Sequence, residues 1–215
     1  VAIRGSIYGQ DREYTVKADF PAAEDRGNQF VAPIWAARKI GFYLQEIRLH
    51  GPSDELIQEV TRLSKEYGII TEYTSYLADA GPQPTSAPDM LRETRGRMER
   101  ANAEQSGGWA FNQAVNDKEM QSRVVASKAA NSFRDRSGIR KDAENIAQIE
   151  GQAFYARDGK WEDAEEKGDR KVRKVRQFSK EYFDLIGKDE KFKRAQTLNG
   201  AISVNVGEER IEVEK

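Results

Sequence analysis

Apolar and polar positions alternate with changing periods along this chain. Over the first twenty residues the period is two. Tyr14, Val16, Ala18 and Phe20 alternate with Thr15, Lys17 and Asp19, after an opening run of Val1, Ile3 and Ser6-Ile7-Tyr8. With Gly9-Gln10-Asp11 as the turn, this spacing predicts a β pair with one buried and one wet face. A lone hairpin is marginal in water, so the pair must join a sheet or layer, and the next residues do not supply one. Residues 21–32, with Pro21, Asp25, Gly27 and Asn28, read as a loop.

Helical spacing follows. Ile34, Ala37, Ile40, Leu44 and Ile47 form one stripe with Trp35 and Tyr43 at its margins, and Pro33 suits a first helical turn. The helix ends at His50-Gly51-Pro52. Ser53 then reads as an N-cap, with Asp54 and Glu55 in the positive first turn. Leu56, Ile57, Val60, Leu63 and Tyr67 make the second apolar face, and Gly68 stands where a left-handed C-terminal cap is needed. Residues 69–77, rich in Ile, Thr and Tyr, read as a strand.

Residues 79–88 have linker composition. From 89 to about 148 the chain is helix-prone but thinly apolar, with breaks at Gly107-Gly108 and Gly138. Long exposed helices lying across other surfaces are expected there, with disorder in the free chain as the rival. Beyond 149 the period returns to two. A hairpin turning at Arg157-Asp158-Gly159, a strand over 172–178, helices capped by Ser179 and Asp189, and a hairpin over 201–214 give the order β-β-β-α-α-β-β. The expected class is α+β, in three parts. Residues 1–78 hold strands completing an upstream sheet, an antiparallel helix pair and a strand; 79–148 are linker and extended helices; 149–215 are a small C-terminal α+β domain.

Composition narrows the chemistry. The 35 Lys+Arg and 36 Asp+Glu leave a formal charge of −1, which argues against a general nucleic-acid binder. Mean hydropathy is −0.81, and no apolar run approaches the roughly 20 residues of a membrane helix. There is no cysteine and one histidine, so disulfides, thiolate sites and multi-histidine metal sites are excluded. No P-loop or dinucleotide fingerprint occurs. His50 reads as a helix-end residue facing the last carbonyls. The pairs Asp54/Glu55, Glu165/Glu166 and Glu208/Glu209 fall in first turns or turn clusters, where acids are common. Trp35 and Trp109 read as packing anchors. No catalytic, cofactor-binding or metal-ligating residue is assigned. The structural set is Trp35, Ile40, Leu44, Ile47, His50, Leu56, Val60, Leu63, Tyr67 and Gly68. The basic run Lys167 to Arg176 reads as a charged edge strand, or as a polyanion site on Lys171, Arg173, Lys174 and Arg176. An enzyme built on His50 and a carboxylate is the remaining alternative.

Two stretches carry a resemblance. They are Pro33-Ile34-Trp35-Ala36-Ala37-Arg38-Lys39-Ile40-Gly41, continuing through Leu44 to Gly51, and residues 55–77, which end in LSKEYGIITEYTSYL. Together they resemble the region after the von Willebrand factor type A domain in bacterial proteins related to the inter-alpha-trypsin inhibitor heavy chains, which also carry a VIT domain. The tail, with Asp158-Gly159-Lys160-Trp161 and Phe178 to Phe183, is similar to the small C-terminal domain of many bacterial members. Over residues 79–148 the resemblance is poor. The family's metal-binding Asp-x-Ser-x-Ser loop belongs to the type A domain, and no such triplet occurs here, so that adhesive site is carried over to no residue. The resemblance implies a non-catalytic scaffold or protein-interaction segment of a cell-envelope, periplasmic or secreted protein. Its expected partner is protein, namely the upstream portion of the same precursor as a continuous or cleaved chain, and an oligomer is compatible. The opening hairpin and the start at Val1 give the expectation of a piece of a longer protein.

Overall fold

The structure is a computed structural model, and it describes residues 1–18, 28–78, 86–149, 151–165 and 170–214. Most of the expected loop at 21–32, most of the expected linker at 79–88, and Phe20, Glu166 and Lys167 lie outside the described residues. The fold is α+β. Strands β1 (Ala2–Ile7) and β2 (Gln10–Thr15) form an antiparallel hairpin with Ile3 opposite Tyr14. Its turn sits at Tyr8-Gly9, one residue earlier than expected, where φ is 51° and 76°. Such positive angles at both turn residues match the twist of the flanking strands. The period-two pattern does sort the faces, with Val1, Ile3, Ile7, Tyr14 and Val16 on one and the Arg4–Glu13 ion pair on the other. The expected buried face is absent, because every residue of both strands is exposed.

Four helices make the first core. They are α1 (Val31–His50), α2 (Asp54–Tyr67), α3 (Ala87–Asn102) and α4 (Gly107–Gln121). Ser53 and Ser86 cap α2 and α3 by accepting from the Leu56 and Asp89 amides, and α4 starts at the expected glycine break. Ala37, Ile40, Leu44 and Ile47 meet Val60, Leu63, Met98 and Met120. At Gly41 a Cβ would stand 2.8 Å from Met120 Cβ, so α1 and α4 touch nearly backbone to backbone. This corrects the expectation of exposed helices beyond residue 89. α3 and α4 are packed, but their buried faces include Thr94, Gln113, Asn116 and Asp117, which no apolar stripe reveals.

The strand expected over 69–77 is also corrected. Thr71 Oγ1 accepts from the amides of Tyr73 and Thr74, and Thr74 Oγ1 accepts from the Thr71 amide. These local bonds compete with ladder pairing and fold the segment into a turn followed by a 3-10 turn at Ser75–Ala78. Gly68, at φ 63°, ends α2 as expected. The α2 carbonyls are then taken up from far along the chain. Tyr155 Oη donates to Lys65 O at 2.7 Å, Gln148 Nε2 to Tyr67 O at 2.6 Å and Asn131 Nδ2 to Gly68 O at 2.6 Å.

A short hairpin of β3 (Ser132–Arg134) and β4 (Arg140–Asp142), not expected, precedes the main sheet. That sheet holds β5 (Ile146–Ile149), β6 (Gln152–Arg157), β7 (Lys160–Asp163), β8 (Lys171–Arg176), β9 (Ala201–Val206) and β10 (Glu209–Glu214). Its order is β5-β6-β7-β9-β10-β8, with β7/β9 and β10/β8 parallel and the other pairs antiparallel. Helices α5 (Lys180–Lys188) and α6 (Glu190–Ala195) cover one face, where Phe192, Tyr182 and Leu185 pack on Phe154, Val204 and Ile211. Ala153 and Tyr155, on the other face of β6, meet Ile70, Tyr76 and Leu77 beside the helices. The order β-β-β-α-α-β-β appears as expected, with β5 added in front. Ser179 and Asp189 cap α5 and α6, and Asp158-Gly159 turns β6 into β7.

Candidate functional site

Three features qualify as sites. The first is the outer surface of α1. Its exposed positions before the final histidine are Val31, Trp35, Arg38, Phe42, Gln45 and Leu49, spaced by four and three residues along one line. Trp35, Phe42 and Leu49 are 46%, 54% and 63% exposed. Trp35 is therefore not the packing anchor expected; it lies on the surface with Lys39 Nζ 5.1 Å from its ring centroid. An open groove of about 650 Å³ runs here between Ile34, Trp35, Lys39, Phe42 and Tyr43. The expected inner face of the helix pair is in place, with Ile40, Leu44, Ile47, Val60, Leu63 and Gly68 buried and Leu56 and Tyr67 half-buried. Together with the bare β1–β2 hairpin, the outer face of α1 leaves two apolar surfaces open to solvent. Soluble chains rarely keep large apolar patches uncovered.

The second feature is the basic strand. β8 is an edge strand of the sheet, and Lys171, Arg173, Lys174 and Arg176 all lie on it. Arg173 pairs with Glu181 and Glu209 at 3.2 Å, and Lys174 pairs with Glu214 at 2.7 Å. Two of the four cations thus already face acids of their own sheet and helix, while Lys171 and Arg176 are exposed. Edge protection accounts for this arrangement.

The third feature escaped the sequence reading. Glu72 is 8% exposed, and neither carboxylate oxygen has a hydrogen-bond partner. Asn116 Nδ2 donates to the Arg134 carbonyl and its Oδ1 accepts from the Arg134 amide, and the Asn116 side chain also favours the charged form of Glu72 without offsetting its burial. Burial, and then the neighbouring Asp117 charge, push the Glu72 carboxyl up to about 8. Burial likewise raises Asp117 to about 7, although Arg48 opposes it from 2.5 Å in an ion pair without hydrogen-bond alignment. No pattern marks Glu72, since it sits in a run with strand-like composition. Asp117 lies on a helix whose apolar spacing is weak.

The residues singled out from sequence are scattered. His50 is exposed at the end of α1 with Glu46 Oε2 3.7 Å from its Nε2, and Glu72 and Asp117 are not its partners. Asp54 pairs with Arg95, Glu165 with Arg170 and Lys191, and Glu209 with Arg173. Among the described residues no group of three or more His, Cys, Asp or Glu side chains is placed to hold a metal ion. No described helix is long and apolar enough to cross a membrane. No family model, curated protein or solved structure matches this chain. The resemblance to proteins with a type A domain rests on its motif residues alone.

Proposed function

We propose that this chain is a non-catalytic scaffold and protein-interaction segment of a von Willebrand factor type A domain-containing protein of the cell envelope or secreted space. One observation carries the reading: the β1–β2 hairpin has an apolar face and nothing among the described residues covers it. Two strands exposed on both sides do not hold together well unaided. Their cover is protein, and the upstream portion of the same precursor is the partner proposed, as a continuous or cleaved chain. Covering Val1, Ile3, Ile7, Tyr14 and Val16 would contribute roughly 25 cal/mol for each Å² of apolar surface removed from water.

Hydrogen exchange tests this directly. In the isolated chain the amides of residues 2–15 should exchange at nearly the rate of an open peptide. In the full-length protein from its native source they should exchange at least about a hundredfold more slowly. Equal rates in the two samples would remove the proposal.

A further inference from the structure

We infer that the outer face of α1 is a pairing surface for a second copy of this chain, with the two helices antiparallel. The exposed positions of α1 follow the four-three spacing of a helix seam, and four of the six carry large apolar side chains where a solvent-facing stripe would be polar. The seam is symmetric in its apolar anchors. Phe42 is central, with Trp35 seven residues before it and Leu49 seven residues after. It is asymmetric in charge. Arg38 and Lys39 stand between Trp35 and Phe42, and Gln45 and Glu46 stand between Phe42 and Leu49.

That combination selects an orientation. A parallel, in-register pair would set Lys39 level with Lys39 and Glu46 level with Glu46, so that neither meets an opposite charge on the partner. An antiparallel pair turns the basic half of each helix onto the half of its partner that carries Glu46, with Phe42 near the two-fold axis. This is the self-complementary interface that closed two-fold dimers require. The flanking contacts leave the anchors free. Arg38 Nε donates to the Arg123 carbonyl and Gln121 Nε2 donates to Gln45 Oε1, each at 2.7 Å, so these two polar side chains lean toward α4. Lys39 lies over the Trp35 and Tyr43 rings. A single pair of 20-residue helices, about 30 Å long, is at the small end of specific interfaces, so the dimer is weak.

Sedimentation velocity on the full chain, from about 1 to 200 µM, reads the equilibrium. A monomer–dimer transition inside that range is expected. Phe42→Glu should raise the dissociation constant about a hundredfold, as a central anchor does when replaced by a charge. Lys39→Glu and Glu46→Lys should each weaken the dimer about tenfold, and the two together in one chain should return it to near the starting value. Ile3→Asp, on the hairpin proposed above for a different partner, should change nothing, so each surface can fail without the other. Circular dichroism melts at the lowest concentration establish that each variant is folded. The inference is overturned by a monomer across the whole range. It is equally overturned by a dimer that tolerates Phe42→Glu, or by a charge-swapped double variant no tighter than its single parents.

Discussion

The first and last hairpins of this molecule are built alike and end differently. β1–β2 and β9–β10 each have six-residue strands, an alternating apolar pattern and a two-residue turn with a left-handed glycine, Gly9 at φ 76° and Gly207 at φ 58°. β9–β10 lies between β7 and β8 and beneath α5 and α6, with Val204 and Ile211 wholly buried. β1–β2 has no such cover, and Ile3 and Tyr14 face water. A period of two therefore specifies which face is apolar, and says nothing of what will lie on it.

The largest effect should come from removing the cover that distinguishes the second hairpin. Phe192 is wholly buried and meets the Tyr182 ring nearly edge-on at 5.8 Å. Phe192→Ala should cost about 3–5 kcal/mol by urea denaturation, with the β9–β10 amides losing protection in step.

Covering also imposes a demand: what is buried must be neutral or partnered. Asp163 meets it, accepting from the Glu165 and Asn205 amides and pairing with Lys191 at 2.5 Å. Glu72 does not. Its carboxyl titrates near 8 in the fold instead of the ordinary 4.5. The folded chain therefore holds a proton that the unfolded chain has released, and stability falls as pH rises between those two values. Glu72→Gln fixes the neutral form. It should add about 2–3 kcal/mol at pH 9 and nothing near pH 4. Asp117 retains its own raised value, so the variant should still lose some stability on the way to pH 7. An E72Q curve parallel to that of the parent would show that Glu72 is not titrating in the fold.

Tyr155→Phe, which removes the donor to the Lys65 carbonyl, should cost about 1–2 kcal/mol in the same denaturation assay. Ile3→Ala is the smallest change, within about 0.5 kcal/mol. A loss above about 1 kcal/mol in the isolated chain would break the contrast between the hairpins.

Local chemistry was legible in the sequence. The caps at Ser53, Ser179 and Asp189, the left-handed Gly68 and the Asp158-Gly159 turn each need only a few neighbours to act. Long-range demands were not. Gly68 is also fixed by space, since a Cβ there would stand 2.6 Å from Ile146 Cγ2 and 2.8 Å from Ala153 Cβ, atoms far away along the chain. The segment 69–77 has strand composition, yet its threonine hydroxyls close a turn and its side chains are buried almost throughout. Helices α3 and α4 hide their inner faces behind buried polar residues such as Gln113, which accepts from Tyr73 Oη at 2.8 Å. Of the candidate surfaces, the aromatic content of α1 was visible, but Trp35 could be assigned to the surface only once the helix was seen to pack on Gly41 instead. Glu72 had no signal at all.

Strand β10 is made after every other strand of its sheet and yet it sits inside that sheet, beside the edge strand β8. On a ribosome, α1 to α4 are complete when residue 121 has emerged, whereas β8 must wait for residues 209–214. At synthesis rates of about 5–20 residues per second, the stretch from the end of β8 at residue 176 to residue 214 takes roughly 2–8 s to make. Through that time the nascent chain carries an unpaired strand edge, and its charged residues protect it from its neighbours on the polysome.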